Sequence, residues 1–343
     1  MRATAAVLHL SVQKRSSGFV YKQFHMASSG LDLQQKLRDS HTRALFVAAH
    51  PDDEVIGAGG SLLSHFESCK IVHVTDGAPA DMFDAQRAGF TSRRDYAVAR
   101  CEEAATALSL AGITKNQIIE LGVTDQRASH ELVRLVRLLS ELFDELKPEI
   151  LVTHPYEGGH PDHDSSVFAV HAARQLLLSE NATAPQIVEM TSYHQRDDET
   201  VYSEFLSSEG CVPVTFELST AQRTLKRKMF DCFVTQREVL QWFPIAVERF
   251  RKAPEYDFTQ PPHAGKLHYE YFDWGMTGDK WRRLACEAQI ILRKRGRNDA
   301  HDFECGVSTG AGRSRRSGRS RTDSDTHRRG ACARGPSVDS HWM

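Results

Sequence analysis

The sequence predicts an α/β protein of Rossmann-like build: a doubly wound, mostly parallel sheet with helices on both faces and a C-terminal extension. Three observations lead there. Short continuous apolar runs, Ala44 to Ala49 foremost, have the pattern of strands buried on both faces. Amphipathic helical stripes alternate with those runs, the order that builds parallel βαβ units. The two clusters richest in His and Asp follow directly after strand-like runs, at the carboxyl edge where open α/β sheets place their chemistry.

Each element has its own warrant. The run Ala-Leu-Phe-Val-Ala-Ala ends at His50, and Gly57, Gly59 and Gly60 before Leu62, Leu63 and Phe66 read as a tight turn opening into a helix close on the sheet, since glycine has no Cβ. Ile71 to Thr75 is the second strand, stopped by Asp76-Gly77. From Ser92 to Ala111 the spacing predicts a helix with Ala97, Ala104, Ala107, Leu108 and Ala111 on one face and Gly112 as terminator. Arg100 and Glu103 share a stripe with Tyr96 and Ala107, so an ionisable pair lies beside the apolar face. Ile118 to Gly122 is a third strand with Asp125 just past its end. His130 to Leu146 carries the clearest helical stripe, ended by Lys147-Pro148. Glu149 to Thr153 is a strand leading into His154 and the second cluster, followed by a helix from Ser165 to Leu178 and a strand from Gln186 to Ser192. Beyond Pro213 come a strand at Val214 to Leu218 and a long helix from Ala221 to about Trp242. The aromatic and Pro-rich stretch from Phe250 to Trp281 is expected to pack on the sheet and contribute to a pocket rim.

Bulk properties narrow the possibilities. Opposing totals of 43 basic and 45 acidic side chains give a net charge of −2, which provides no global field for nucleic acid or anionic lipid. No apolar run approaches the ~20 residues that span a bilayer. The seven cysteines are odd in number and form no Cys-x-x-Cys pair, which fits a reducing cytoplasm better than a disulfide framework or a thiolate zinc site. Residues 1–40 read as a leader, disordered or mis-annotated with a start at Met26, in preference to the organellar transit peptide that the acid-free first 31 residues loosely resemble. Residues 41–293 read as one domain, with a core over 43–193 and an extension over 194–293. Residues 294–343 read as a disordered basic tail, since Gly310 to Arg334 is rich in Arg, Ser and Gly and has almost no apolar side chain to offset ordering entropy.

The chemistry lies in His50-Pro51-Asp52-Asp53-Glu54 and His160-Pro161-Asp162-His163-Asp164. A catalytic zinc site takes three protein ligands, His with Asp or Glu, and keeps a position open for water. These two loops can supply that set if adjacent parallel strands bring them together. Blander roles exist for each residue. Asp52 or Asp53 could only cap a helix, His160 and His163 could be surface histidines, and Arg100 with Glu103 could be a structural pair at i, i+3. His65, His73, His154, His171 and His194 have no motif around them and read as structural, with His154 near enough to line the site.

The first cluster with Gly57-x-Gly59-Gly60, together with His160-Pro161-Asp162-His163, resembles the PIG-L / LmbE-like family of zinc-dependent N-deacetylases. The resemblance covers Arg43 to Tyr193 and more loosely reaches Trp281. It implies His50, Asp53 and His163 as metal ligands and Asp52 as the general base. His160 would polarise the amide oxygen or stabilise the oxyanion, and Asp162 would orient an imidazole. Arg100 and Glu103 match the family's Arg-x-x-Glu helix, whose arginine faces substrate oxygens, and Asp125 lies where the family tends to place a carboxylate on sugar hydroxyls. Thr235-Gln236 resembles a Ser/Thr-Gln element of the family whose task the sequence does not give.

The implied activity is removal of an acetyl group from an N-acetylated small molecule, an N-acetylglucosamine-like sugar or conjugate, with Zn2+ as cofactor and Fe2+ as the other divalent candidate. No nucleic acid or integral membrane segment is expected, and homo-oligomerisation stays open. Two readings compete. Two His and one carboxylate also form the facial triad of iron(II) oxygenases, although Asp52 would then be idle. A non-catalytic binding relative is the other, against which the retention of Asp52 and of all three ligands argues.

Overall fold

The computed structural model describes residues 32–179 and 184–305, with side chains up to residue 294. Its sheet begins with β1 (Ala44–Ala48), β2 (Cys69–Pro79), β3 (Ile118–Asp125), β4 (Ile150–Thr153) and β5 (Gln186–Met190). These five run parallel in the order β3-β2-β1-β4-β5, one half-sheet each side of β1. Two further strands, β8 (Val214–Glu217) and β9 (Val247–Lys252), join antiparallel beyond β5, giving β5-β9-β8 and a seven-stranded sheet. Between β5 and β8 in sequence, β6 (Tyr193–Arg196) and β7 (Glu199–Tyr202) form a separate hairpin.

Side-chain alternation along β1 shows why helices cover both faces. Leu45 and Val47 point into one core with α5 (Leu132–Leu146), α6 (Pro161–Ser179) and α9 (Gly278–Cys305). Ala44 and Phe46 point into the other, with α1 (residues 32–38), α2 (Asp53–Ala58), α4 (Arg93–Ser109), α7 (Thr220–Asp231) and α8 (Arg237–Leu240). A short α3 (Phe83–Arg87) lies between β2 and α4 in sequence. The stripe on α5 is buried as its period predicts, at Leu132, Leu135, Val136, Leu139 and Phe143, and Lys147 ends it in the left-handed conformation.

Several expectations change. Helix α2 starts at Asp53, so the glycines lie within and just after it rather than in a turn before it. Gly57 is there for close approach: a Cβ would stand 2.5 Å from Met190 Sδ on β5. Helix α6 starts at Pro161, four residues before the expected Ser165, which puts His163 on the first helical turn instead of a loop. Proline suits a first helical position because no N–H is needed there. The long helix expected from Ala221 to Trp242 is two helices, α7 and α8, because the intervening Thr235 and Gln236 are tied to α4. Phe250 belongs to β9 rather than to an irregular extension.

Of the leader expected over 1–40, residues 1–31 lie outside the described residues, while 32–38 are helical with Leu33 and Leu37 buried. Helix α9 runs through residue 294, where the tail was expected to begin, and residues 306–343 lie outside the described residues. The chain divides into a compact unit over Met1–Gly296 and a second over Arg297–Met343. Among the described residues no helix is long and apolar enough to cross a membrane.

Candidate active site

Strands β1 and β4 are hydrogen-bonded neighbours, Ala44 opposite Ile150, so the segments that leave their carboxyl ends emerge side by side. That pairing joins the two clusters. His50 and the start of α2 follow β1, while His154, His160 and the start of α6 follow β4. All are buried at the end of the sheet.

Asp53 is the hub. Its Oδ2 accepts from the His50 backbone N–H at 2.8 Å and lies 3.0 Å from His50 Nδ1, while its Oδ1 lies 3.2 Å from His163 Nε2. One ligand atom from each of His50, Asp53 and His163 falls within 4.8 Å of the others. Asp125, at the end of β3, meets the opposite nitrogen of His50: Nε2 is 3.1 Å from Asp125 Oδ1 and 3.6 Å from Asp162 Oδ2. A His that binds a metal through one nitrogen commonly donates its other N–H to a carboxylate, which fixes the tautomer. In this geometry Nδ1 of His50 faces Asp53, and Nε2 faces Asp125, to which it would donate if protonated.

A second group, His50, Asp125, His160 and Asp162, is equally tight, but its donors are committed. The Asp162 carboxylate already accepts from the backbone N–H groups of Gln126, at 2.6 Å, and Ala128, at 3.0 Å. His160 Nδ1 accepts from the Asp162 backbone N–H at 3.1 Å, so the ring proton of neutral His160 sits on Nε2. The set His50, Asp53 and His163 therefore fits a divalent metal: two imidazoles and a carboxylate, with a carboxylate behind one imidazole.

Charge follows this layout. Burial would raise Asp53, yet His163, His154 and His50 outweigh it and hold the carboxyl well below its usual range. Burial, reinforced by His50, keeps His160 well below the ordinary imidazole value and hence neutral. Asp52 is pushed up to about 6 by burial, with Arg100 opposing. It occupies the N-cap position of α2, yet its side chain makes no capping bond. Instead Asp52 Oδ2 accepts from Arg100 Nη2 at 3.0 Å. Arg100 Nη1 donates to the carbonyl of Gly77 at 2.7 Å. Gly77 has φ 61°, and a Cβ there would lie 2.9 Å from Arg100 Cζ and 3.0 Å from Pro51 Cδ, so glycine is required where the arginine crosses.

The residues expected to face substrate are thus found with protein partners: Arg100 on Asp52 and Gly77, Asp125 on His50, and Glu103 on Thr235. The Thr235 N–H donates to Glu103 at 3.0 Å and its hydroxyl at 2.5 Å, while Gln236 Nε2 donates to the Tyr96 hydroxyl at 2.9 Å. The Arg-x-x-Glu helix and the Thr-Gln turn are two halves of one junction, which gives the latter its task. The imidazole nearest the Asp162 carboxylate is that of His50; His160 meets the Asp162 backbone instead.

Other residues reach the site without a motif to announce them. His154 stacks on His163 at 4.0 Å between centroids, and its Nε2 accepts from the Ala49 N–H. Tyr193 meets His163 edge-on at 5.4 Å, and Trp274 lies 4.8 Å from His160. His154 could be read from its nearness to the second cluster. Trp274 lies in the Phe250 to Trp281 stretch that was expected to contribute to a pocket rim, although no motif singles it out within that stretch. Glu54 and His73 form a buried pair beneath α2, 3.2 Å apart.

The sheet and the His and Asp cluster at its carboxyl end are those of an α/β protein with a candidate metal site. Residues 45–174 are a PIG-L family domain, the family described as GlcNAc-PI de-N-acetylase. Among curated relatives, the 1D-myo-inositol 2-acetamido-2-deoxy-alpha-D-glucopyranoside deacetylase of Mycobacterium sp. (strain KMS) is 27% identical over 142 residues, covering 35% of this chain and 46% of its own length. The chain thus spans about half the length of that relative. The probable N-acetyl-alpha-D-glucosaminyl L-malate deacetylase 2 of Bacillus subtilis (strain 168) is 28% identical over 159 residues, covering 45% of this chain and 69% of its own. In fold, the chain is similar to N,N'-diacetylchitobiose deacetylase from Pyrococcus horikoshii, with a TM-score of 0.50, 19% identity, and coverage of 71% of this chain and 94% of that one.

Proposed function

We propose that this protein is a zinc-dependent N-deacetylase that hydrolyses the acetamide of an N-acetylglucosamine-like sugar or conjugate to acetate and an amine. The observation that carries the reading is the convergence of His50, Asp53 and His163 within 4.8 Å, on the segments that follow the adjacent parallel strands β1 and β4. The named activities of the relatives lend the substrate class.

Held by those three residues, a divalent metal supplies Lewis acidity toward the amide carbonyl and lowers the pKa of water to about 7. Asp52 takes the proton of the attacking water on its carboxylate and passes it to the departing amine nitrogen. Arg100 anchors Asp52 through Oδ2, so the base keeps one orientation. His160 donates Nε2–H to the carbonyl oxygen as negative charge grows there, and its neutrality suits a donor that loses no proton at rest. Asp125 and Asp162 hold the His50 ring from behind. Cys69, Cys101, Cys211, Cys232 and Cys286 are free, which supports a reducing setting such as the cytoplasm.

The test is acetate and amine release from a panel of N-acetylated sugars by protein stripped with a chelator and reloaded with Zn2+ or Fe2+, with and without oxygen. Anaerobic turnover with zinc is expected. Strict dependence on iron and O2 would replace hydrolysis with oxygenase chemistry. Asp52→Ala should keep its metal, by elemental analysis, and lose about 10²- to 10⁴-fold in kcat. Unchanged turnover would remove Asp52 from the mechanism.

A further inference from the structure

The second cluster ends in a residue that the reaction above leaves without a task. Asp164 lies on the first turn of α6 and is 0% exposed. An acidic side chain at a helix start commonly faces water, where the helix dipole favours it at little cost. A buried one is costly unless it meets a directed partner. The partner of Asp164 is a loop amide, which helix formation does not explain.

The Gly158 backbone N–H donates to Asp164 Oδ1 at 3.1 Å, and the Asp164 backbone N–H donates to the His160 carbonyl at 3.1 Å. One residue thus holds the chain on both sides of Gly159. The Gly158 carbonyl accepts from the His268 N–H at 2.9 Å, so both backbone groups of Gly158 are tied. Neither glycine can give way to a stiffer residue. Gly158 has φ 68°, with a Cβ position 2.8 Å from Leu267 Cδ2, and a Cβ on Gly159 would collide with the Tyr193 carbonyl oxygen. Two successive glycines bring the greatest backbone freedom of any pair, and these lead directly into His160. On either side the chain is already anchored: Glu157 accepts from Arg251 at 3.2 Å and from the Leu206 N–H at 2.7 Å, and Asp162 accepts from Gln126 and Ala128. Between those anchors, Asp164 and His268 supply the ties.

We propose that Asp164 is a positioning residue for His160: its carboxyl oxygen locks the Gly158-Gly159 segment, so that the imidazole stays aimed at the amide oxygen. The inference rests on the deacetylase reading, in which His160 donates to that oxygen. A donor of this kind acts by being in place before charge develops, and misplacement by about 1 Å can cost about 10²-fold. Metal binding takes a different route. His163 projects from α6, whose start is also held through Asp162 and by the Trp281 Nε1–H on Ser165 Oγ at 3.0 Å. Loss of the lock should therefore lower turnover and leave the metal bound.

The test replaces Asp164 in the zinc-loaded protein. Asp164→Asn keeps an acceptor oxygen, Asp164→Ala removes it, and Asp164→Leu removes it while filling the space, which guards against collapse of the alanine variant. With metal content matched by elemental analysis, the alanine and leucine variants should lose about tenfold to hundredfold in kcat with KM unchanged, and the asparagine variant should stay within about threefold of native. Made in a His160→Ala background, the same changes should cost nothing further, because the two residues act as one unit. Undiminished kcat overturns the proposal, as does an equal loss with and without His160, which marks general damage to the site. If the native protein releases acetate from no N-acetylated sugar, the deacetylase reading fails, and imidazole nitrogen NMR still decides the lock. One Nε2–H tautomer of His160 in the native and asparagine proteins, giving way to a mixture in the alanine or leucine variant, supports it; the same tautomer in all of them overturns it. Should neither of those two variants fold, exchange of the native Gly158 amide decides instead, slow exchange supporting the lock and exchange at open-loop rates overturning it.

Discussion

Asp125 carries the sharpest residue-level expectation, because one carboxylate has two competing tasks, sugar hydroxyls by family resemblance and His50 by geometry. With Oδ1 3.1 Å from His50 Nε2, Asp125→Ala should weaken metal binding about 10- to 100-fold, measured by competition with a chromophoric chelator. Undiminished affinity with a raised KM would return Asp125 to substrate. The three proposed metal-site residues were singled out by family resemblance, which works here because each of the two motifs is short and local in the sequence. The tautomers were not, since the partner that fixes His50 comes from β3 and the one that fixes His160 is a backbone N–H. Thr235-Gln236 was likewise visible as a motif and opaque in purpose, its partners Glu103 and Tyr96 lying on a distant helix.

At the level of elements, a buried pair clamps the metal-site helix from below. Lys226 on α7 donates to the Ile56 carbonyl at 2.7 Å and to Glu248 of β9 at 2.6 Å, and Glu248 also accepts from the Gly60 N–H at 2.8 Å and from the Ser61 hydroxyl. Both charged side chains are 1% exposed. Lys226→Ala leaves Glu248 buried without its counter-charge and should cost about 3–5 kcal/mol in urea unfolding. A cost below 1 kcal/mol, on the order of an exposed pair, would deny the clamp. This pair also explains why β9 escaped detection. Val-Glu-Arg-Phe-Arg-Lys looks like a solvated stretch, yet Glu248, Phe250 and Arg251 are all buried, so the polar residues that hide the strand are those that bind it. The central strands β1 and β4, by contrast, were visible as apolar runs because both of their faces are covered.

The molecule as a whole carries a second buried network, between β5, β9 and the loop before His160. Arg251 Nε donates to Glu189 at 2.6 Å and Nη2 approaches Glu157 at 3.2 Å, while the Tyr256 hydroxyl donates to Glu189 at 2.5 Å. Burial raises Glu189 to about 7, with Arg251 opposing. An acid whose folded pKa lies above its unfolded value binds its proton more tightly when folded. The stability so gained is complete below the unfolded value and is lost as pH rises through about 7. Thermal unfolding midpoints should therefore fall from pH 5 to pH 8 in the native protein and fall less in Glu189→Gln; parallel curves would contradict this. The pairing of β1 with β4 has a consequence for how the protein is made. His50 and Asp53 follow β1 while His163 lies on α6 beyond β4, so an emerging chain carries two of the three proposed ligands until β4 and the start of α6 have followed. Contacts of such long range form late and slowly. The proposed metal centre can form only after β1 and β4 have paired, which makes it a reporter of that long-range step of folding.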